Sequence, residues 1–206
     1  MTDDAEPDPD LVARLATALR AGEAVVLPTD TVYGLAALPS VPGATGRIFA
    51  LKGRRPEVPL AVLVADVDAA RAIASPWTDA LDRIAAVHWP GALTLVVGRG
   101  GGAASWDLGG DPRTIGVRCP GHPLVRAVAA LVGPIATTSA NAHGQPTPPT
   151  AAEAAASLTG PVAVVADGGT LDGVASTVVD ATGAALVLRR EGALTLAQVE
   201  AAAAEP

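Results

Sequence analysis

Ala24–Leu27, AVVL, runs directly into Pro28–Leu35, PTDTVYGL, and this junction decides the fold. Four apolar residues closed by a proline read as a buried strand. The chain then turns through hydroxyls, one carboxylate, one phenol and a glycine. In an open α/β sheet ligands bind at the carboxyl ends of strands, so a pocket is expected here. Thr29, Thr31 and Tyr33 alternate, and an extended backbone would point all three the same way. Taken alone, the segment fits a polar strand-to-loop turn equally well. The rest of the chain decides between the two.

Outward from this point, strands and helices alternate. Asp8 is placed to cap a helix with Pro9 at its first position and Leu11, Leu15 and Leu19 on one face. Gly22 ends that helix. A Pro/Gly loop follows the PTDTVYGL turn, then a short helix over Thr45–Leu51 that delivers Lys52. Leu60–Val64, Leu93–Val97, Thr114–Val117 and Pro134–Thr137 read as strands, with helices at Val67–Ala74, Trp77–His88 and Pro123–Val132. Gly98–Asp111 is glycine-rich and predicts a mobile loop. Asn141–Thr150 is loop. Thr150 with Glu153, and later Thr195 with Gln198, form capping-box patterns ahead of two further helices. Val162–Ala166, Thr177–Asp180 and Leu186–Leu188 complete the strands. With no repeat and no linker, the pattern predicts one α/β domain: an open, twisted, mixed β-sheet flanked by helices, its core spanning about 8–204.

Half of the 206 residues are hydrophobic but only 2% are aromatic, so the core must be built from Ala, Val, Leu and Ile. The lone Cys119 excludes an intrachain disulfide and a cysteine-based zinc site, and fits a reducing cytoplasm. The acidic, proline-bearing start MTDDAEPDPD is unlike a signal peptide, and no apolar run reaches the roughly 20 residues of a membrane span. A net charge of −7 argues against a broad nucleic-acid-binding face, though not against a local basic patch.

Such a patch has a candidate. Lys52-Gly53-Arg54-Arg55 is the densest positive charge in the chain, and its glycine lets the backbone approach a ligand. It is either a solvated face or, between a helix and a buried strand, a polyanion site. Thr137-Thr138-Ser139-Ala140-Asn141 offers three hydroxyls and an amide after a strand, as a cap or as a phosphate-binding turn. Arg118, at a strand end, and Arg189-Arg190-Glu191-Gly192 are ambiguous alone. His88, His122 and His143 are too scattered for a metal site. The chain has no G-x-x-x-x-G-K-[ST] loop, no G-x-G-x-x-G fingerprint and no G-x-S-x-G elbow.

Seven blocks, PTDTVYGL, KGR with Pro59-Leu60, WPGALTLVV, TIGVRCPGHP, TTSAN, STVVD and LRREG, follow in order from about Ala24 to Gly192. Together they resemble the YrdC-like family. The family's basic and polar tetrad, K-x-R with S-x-N, is matched by Lys52, Arg54, Ser139 and Asn141. The resemblance implies a threonylcarbamoyl-AMP synthase, a nucleotidyltransferase that condenses L-threonine, bicarbonate (or CO2) and ATP and releases pyrophosphate. The product feeds the threonylcarbamoyl modification of adenosine 37 in tRNA. By resemblance, the tetrad is catalytic, and Lys52, Arg54, Thr114, Ser139, Thr147 and Arg190 face ATP. Thr31, Tyr33, Arg118, Thr137 and Ser176 hold L-threonine. Magnesium is expected on the phosphates of ATP, held by ATP and water. Downstream tRNA threonylcarbamoyl-transfer proteins are implied as partners in the cytoplasm, with weak tRNA binding left open and no membrane. Where many members have proline, asparagine and histidine, this chain has Arg55, Val58 and Leu63, and it stops soon after LRREG, without the longer members' C-terminal domain. The competing reading is a non-catalytic RNA-binding module of the same fold.

Overall fold

A computed structural model of the chain describes residues 6–53, 55–171 and 173–204. Asp8 accepts a hydrogen bond from the Asp10 amide and caps α1 (Pro9–Arg20), whose Leu15 and Leu19 are fully buried. Strand β1 (Val25–Leu27) and β2 (Gly34–Ala37) form an antiparallel pair around the PTDTVY turn. Then come α2 (Ala44–Lys52), β3 (Ala61–Leu63), α3 (Val67–Ile73), α4 (Asp79–His88), β4 (Leu93–Gly98) and β5 (Thr114–Arg118). The chain continues through α5 (Pro123–Val132), β6 (Ile135–Ser139), α6 (Ala151–Ala156), β7 (Val164–Val165), β8 (Thr177–Asp180), β9 (Val187–Arg190) and α7 (Leu196–Ala204). Both capping boxes form: Thr150 accepts from the Glu153 amide and Thr195 from the Gln198 amide.

The nine strands make one sheet in the order β7-β1-β2-β6-β3-β5-β4-β8-β9. It is mixed: β1/β7, β3/β5 and β4/β8 are parallel and the remaining pairs antiparallel. The pleat then sorts side chains between two layers. On one face, Val26, Leu35, Val62, Leu93, Leu95, Ile115, Val117 and Val179 pack with Ile48 of α2, Ile73 of α3, Leu81 and Ile84 of α4, Ala154 of α6 and Val199 of α7. Each large aliphatic side chain buried this way contributes about 1.5–3 kcal/mol. On the other face, Val25, Leu27, Ala36, Leu63 and Ile135 pack beneath α1 and α5 only. These two helices cover the β1–β2–β6 side. Beyond Leu63 of β3, which α5 still reaches, the same face is open over the rest of β3 and over β5, β4, β8 and β9.

Three expectations are corrected. GLAA at residues 34–37 is a strand rather than part of a loop: the glycine and two alanines carry no β-branched signal, but pairing on both sides, with β1 and β6, holds them extended. The glycine-rich segment 98–111 is tied down. Gly100 donates to Ile73, Gly110 to Pro56 and Leu60 to Leu108, and Leu108 is buried. Third, Thr29, Thr31 and Tyr33 are not strung along an extended strand. The Thr29 hydroxyl donates to the Val32 carbonyl and accepts from the amides of Thr31 and Val32, winding the segment into a turn.

Candidate functional site

The open half of the sheet face is the floor of a cavity of about 460 Å3. The floor follows from the pleat. Along β4, Leu93, Leu95 and Val97 go into the core while Thr94 and Val96 face the cavity. Along β5, Ile115 and Val117 go inward, leaving Thr114, Gly116 and Arg118 to the cavity. Thr137 and Ser139 of β6, Ser176 before β8, Val178 within it and Arg190 of β9 complete the floor. A mixed sheet has no single carboxyl edge, so the pocket lies across a face rather than at strand ends.

One end of the cavity is built around Arg118, which is 5% exposed. Its Nη2 donates to Asp30 at 2.7 Å, Nη1 to the Thr31 hydroxyl at 3.0 Å and Nε to the Gly91 carbonyl at 2.9 Å. The Thr31 and Thr29 hydroxyls lie 2.9 Å apart. The Thr29 proton goes to Val32, and Thr31, which accepts from Arg118 Nη1, keeps a further lone pair. Burial pulls the Arg118 guanidinium below its ordinary range, with Asp30 acting the other way. Arg190 donates to the Ser176 carbonyl and hydroxyl at 2.8 and 3.0 Å, and the Ser176 hydroxyl meets Thr94 at 2.9 Å. Burial, and then the like charge of Arg118, lower Arg190. Among the described residues lining the cavity there is no carboxylate, so an acidic protein carries a locally positive pocket.

The other end lies along the sheet. Lys52, the last residue of α2 and 4% exposed, donates to the Ser139 carbonyl at 2.5 Å, the Ser139 hydroxyl at 3.2 Å and Asn141 Oδ1 at 2.5 Å. The Ser139 hydroxyl in turn donates to Asn141 Oδ1 at 2.6 Å, while Asn141 Nδ2 donates to the carbonyls of Ala142 and Gln145. The tetrad members Lys52, Ser139 and Asn141 are thus one unit; Arg54 lies outside the described residues. Ser139 and Asn141 line the cavity, and Lys52 supports them from the helix side.

Of the residues expected to hold ligands, Thr31, Tyr33, Thr114, Arg118, Thr137, Ser139, Asn141, Thr147, Ser176 and Arg190 all line this one cavity. Tyr33 differs from expectation in what its hydroxyl does. It donates to the Gly169 carbonyl at 2.6 Å and accepts from the Gly168 amide at 2.9 Å, anchoring the segment that leads to Ser176. That segment lies tight against the turn: a Cβ on Gly173 would fall 2.0 Å from the Thr31 carbonyl oxygen. Leu63 lines the cavity, while Val58 is exposed. Thr29, placed at the expected pocket with Thr31 and Tyr33, lines it too; the residues that sequence reasoning missed are Thr94, Arg99 and Asp30. Period-two alternation in LTLVV would have singled out Thr94; nothing local marks Asp30 as the partner of Arg118.

Among the described residues the lining offers hydroxyls, two side-chain amides and guanidinium groups, and no nucleophile paired with a base. Cys119 is buried and donates to the Ala65 carbonyl at 3.4 Å. Among the described residues no group of three His, Cys, Asp or Glu could hold a metal ion, and no helix is long and apolar enough to cross a membrane. Fold and site together define an α/β protein with a cavity lined by hydroxyls, side-chain amides and three arginines, a lining complementary to negative charge. More narrowly, the chain belongs to the Sua5_yciO_yrdC family, described as "Telomere recombination", which matches residues 17–192. It is 37% identical over 203 residues to a threonylcarbamoyl-AMP synthase of Bacillus subtilis, covering 98% of this chain and 59% of that protein. Against the threonylcarbamoyl-AMP synthase of Pyrococcus abyssi the identity is 36% over 184 residues, covering 88% and 54%. The crystal structure of P. abyssi Sua5 complexed with L-threonine superposes with a TM-score of 0.83 at 33% identity, over 93% of this chain and 56% of that one. The chain therefore spans little more than half the length of these relatives. Escherichia coli YciO shares the fold, with a TM-score of 0.84.

Proposed function

We propose that the protein is a threonylcarbamoyl-AMP synthase, a nucleotidyltransferase that joins L-threonine, bicarbonate (or CO2) and ATP into threonylcarbamoyl-adenylate, releasing pyrophosphate and, from bicarbonate, water. One observation carries the reading: a single cavity with buried Arg118 and Thr31, joined by Asp30 from the solvent side, at one end and the Lys52–Ser139–Asn141 unit at the other. Thr114 is level with Ser139 across the sheet, and Arg118 stands four residues further along β5, roughly 13 Å away. That span suits an amino acid joined to a nucleotide.

The substrate carboxylate would lie against the remaining donors of Arg118, with its ammonium nitrogen (as amine once deprotonated) against lone pairs of Thr31 and Thr137. The Thr137 proton is already committed to the Leu35 carbonyl at 3.2 Å, so this hydroxyl also accepts. The amine captures CO2 as a carbamate; a carbamate oxygen bonds to the α-phosphorus and the bond to pyrophosphate breaks. No covalent enzyme intermediate is needed. Positioning and neutralisation of phosphate charge do the work, with Lys52, Arg54, Ser139 and Asn141 at the leaving group and Thr114, Thr147 and Arg190 along the nucleotide. Magnesium enters as part of the substrate, carried on phosphate oxygens and water. We place the reaction in the cytoplasm, with tRNA threonylcarbamoyl-transfer proteins taking the product and weak tRNA contact being secondary.

The test is pyrophosphate release by the purified protein with ATP, with and without L-threonine and bicarbonate. Release requiring both is expected. Release independent of threonine, or none despite ATP binding, would refute the reading.

A further inference from the structure

Arg99 is a cation of this cavity that the roles above leave unused. It follows β4 directly, and its guanidinium donates through Nε to the Thr114 carbonyl at 3.1 Å and through Nη1 to the Trp106 carbonyl at 2.9 Å. Both partners are neutral main-chain oxygens. No carboxylate lies within ion-pair distance of it among the described residues, Asp107 and Asp111 acting only at longer range. Two fixed donors hold the guanidinium plane in place, and three N–H groups are left over. Pro59, Leu60 and Leu108 line the same part of the cavity, and the Leu60 amide donates to the Leu108 carbonyl to hold them there.

Register locates this group relative to the rest of the site. Gly98 is paired with Thr114, and Thr114 is level with Ser139 through β3. Arg99 therefore stands about three strand spacings, roughly 14 Å, from Ser139 and the Lys52 ammonium behind it. With phosphates at Lys52, Ser139 and Asn141, the far end of an extended nucleotide falls at Arg99. A planar cation flanked by apolar side chains suits an aromatic ring better than a second phosphate subsite.

We propose that Arg99 holds the base end of the nucleotide, its guanidinium contacting the purine with Pro59, Leu60 and Leu108 as the apolar flank. This rests on the reading of the cavity as an ATP site. The experiment is calorimetric titration of the wild type, Arg99→Ala and Arg99→Lys with ATP, AMP, adenosine, inorganic pyrophosphate and L-threonine. Arg99→Ala is expected to weaken ATP, AMP and adenosine by one common factor, about five- to tenfold, and to leave pyrophosphate and L-threonine unchanged. Arg99→Lys, which keeps the charge but not the plane, is expected to fall between. A loss confined to ATP would make Arg99 a phosphate contact and overturn the proposal, as would unchanged binding of all ligands. Equal loss of L-threonine binding would show that Arg99 only braces β4 against β5, and would overturn it too. A wild type that binds ATP with this Arg99 pattern, yet releases no pyrophosphate, would sink the synthase reading and leave the base contact standing.

Discussion

Tyr33→Phe removes a single oxygen, and the structure says what that oxygen holds. The hydroxyl donates to the Gly169 carbonyl at 2.6 Å, sharing that proton at longer range with Asp167 Oδ1 at 3.3 Å, and accepts from the Gly168 amide at 2.9 Å, from a ring that is fully buried. Two hydrogen bonds at about 1 kcal/mol each set an upper value near 2 kcal/mol. Gly168 and Gly169 are themselves exposed, so water can replace part of what they lose, and about 1–1.5 kcal/mol remains. For a domain of this size that is a fall in melting temperature of about 3–5 °C. The anchored segment leads to Ala175 and Ser176 in the cavity wall, so affinity for L-threonine should fall alongside, while ATP binding at the Lys52–Ser139–Asn141 end stays near the wild-type value. Calorimetric melting together with titration of each substrate reads both quantities. If Tyr33→Phe loses threonine affinity without losing stability, the phenol is a direct ligand and the anchoring argument is wrong.

Lys52→Ala should leave the protein folded, by circular dichroism, and lower threonine-dependent pyrophosphate release by about 100-fold or more, since the ammonium supports both Ser139 and Asn141. Arg118→Lys cannot reach Gly91, Thr31 and Asp30 together; saturation kinetics should show a raised KM for L-threonine, and an unchanged value would remove Arg118 from that end. Cys119→Ser should keep nearly full turnover, because the buried thiol only donates to the Ala65 carbonyl, a bond a serine can make. On acidification, the Trp77 indole bond at 2.6 Å holds the Asp82 carboxyl below its usual range, and Arg113 draws Asp111 down to about 2. Folding favours both ionised forms, so their contribution is complete above the ordinary carboxylate range and is lost as pH falls from there to the lowered folded values, about 2 for Asp111. A tryptophan-fluorescence titration should follow this loss, and a stability flat from pH 5 to about 2 would contradict it.

Most of the fold was legible because its signals are local. Caps at Asp8, Thr150 and Thr195 mark helix starts, and the valine-rich runs mark central strands. The strand at residues 34–37 was not legible, since Gly-Leu-Ala-Ala becomes a strand only through partners at Val25–Leu27 and Ala136–Ser139. The same division holds for the site. Hydroxyls and arginines beside strand ends could be listed from the sequence, but Arg118 meets an aspartate 88 residues away. Arg99 was hidden in a run that reads as glycine loop, and the alternation at Thr94 gained its meaning only once the sheet showed which side of β4 is bare.

That bare side has a consequence for the entropy of binding. The floor side chains belong to strands whose opposite face is packed solid, so their backbones are already ordered before a ligand arrives. Ordering on binding is left to the rim, Gln145, Pro146, Thr147 and Ala175. Loss of conformational freedom, and the temperature dependence of affinity that accompanies it, should therefore respond to glycine and proline changes in that rim, while the same changes in the floor strands would register as loss of the fold.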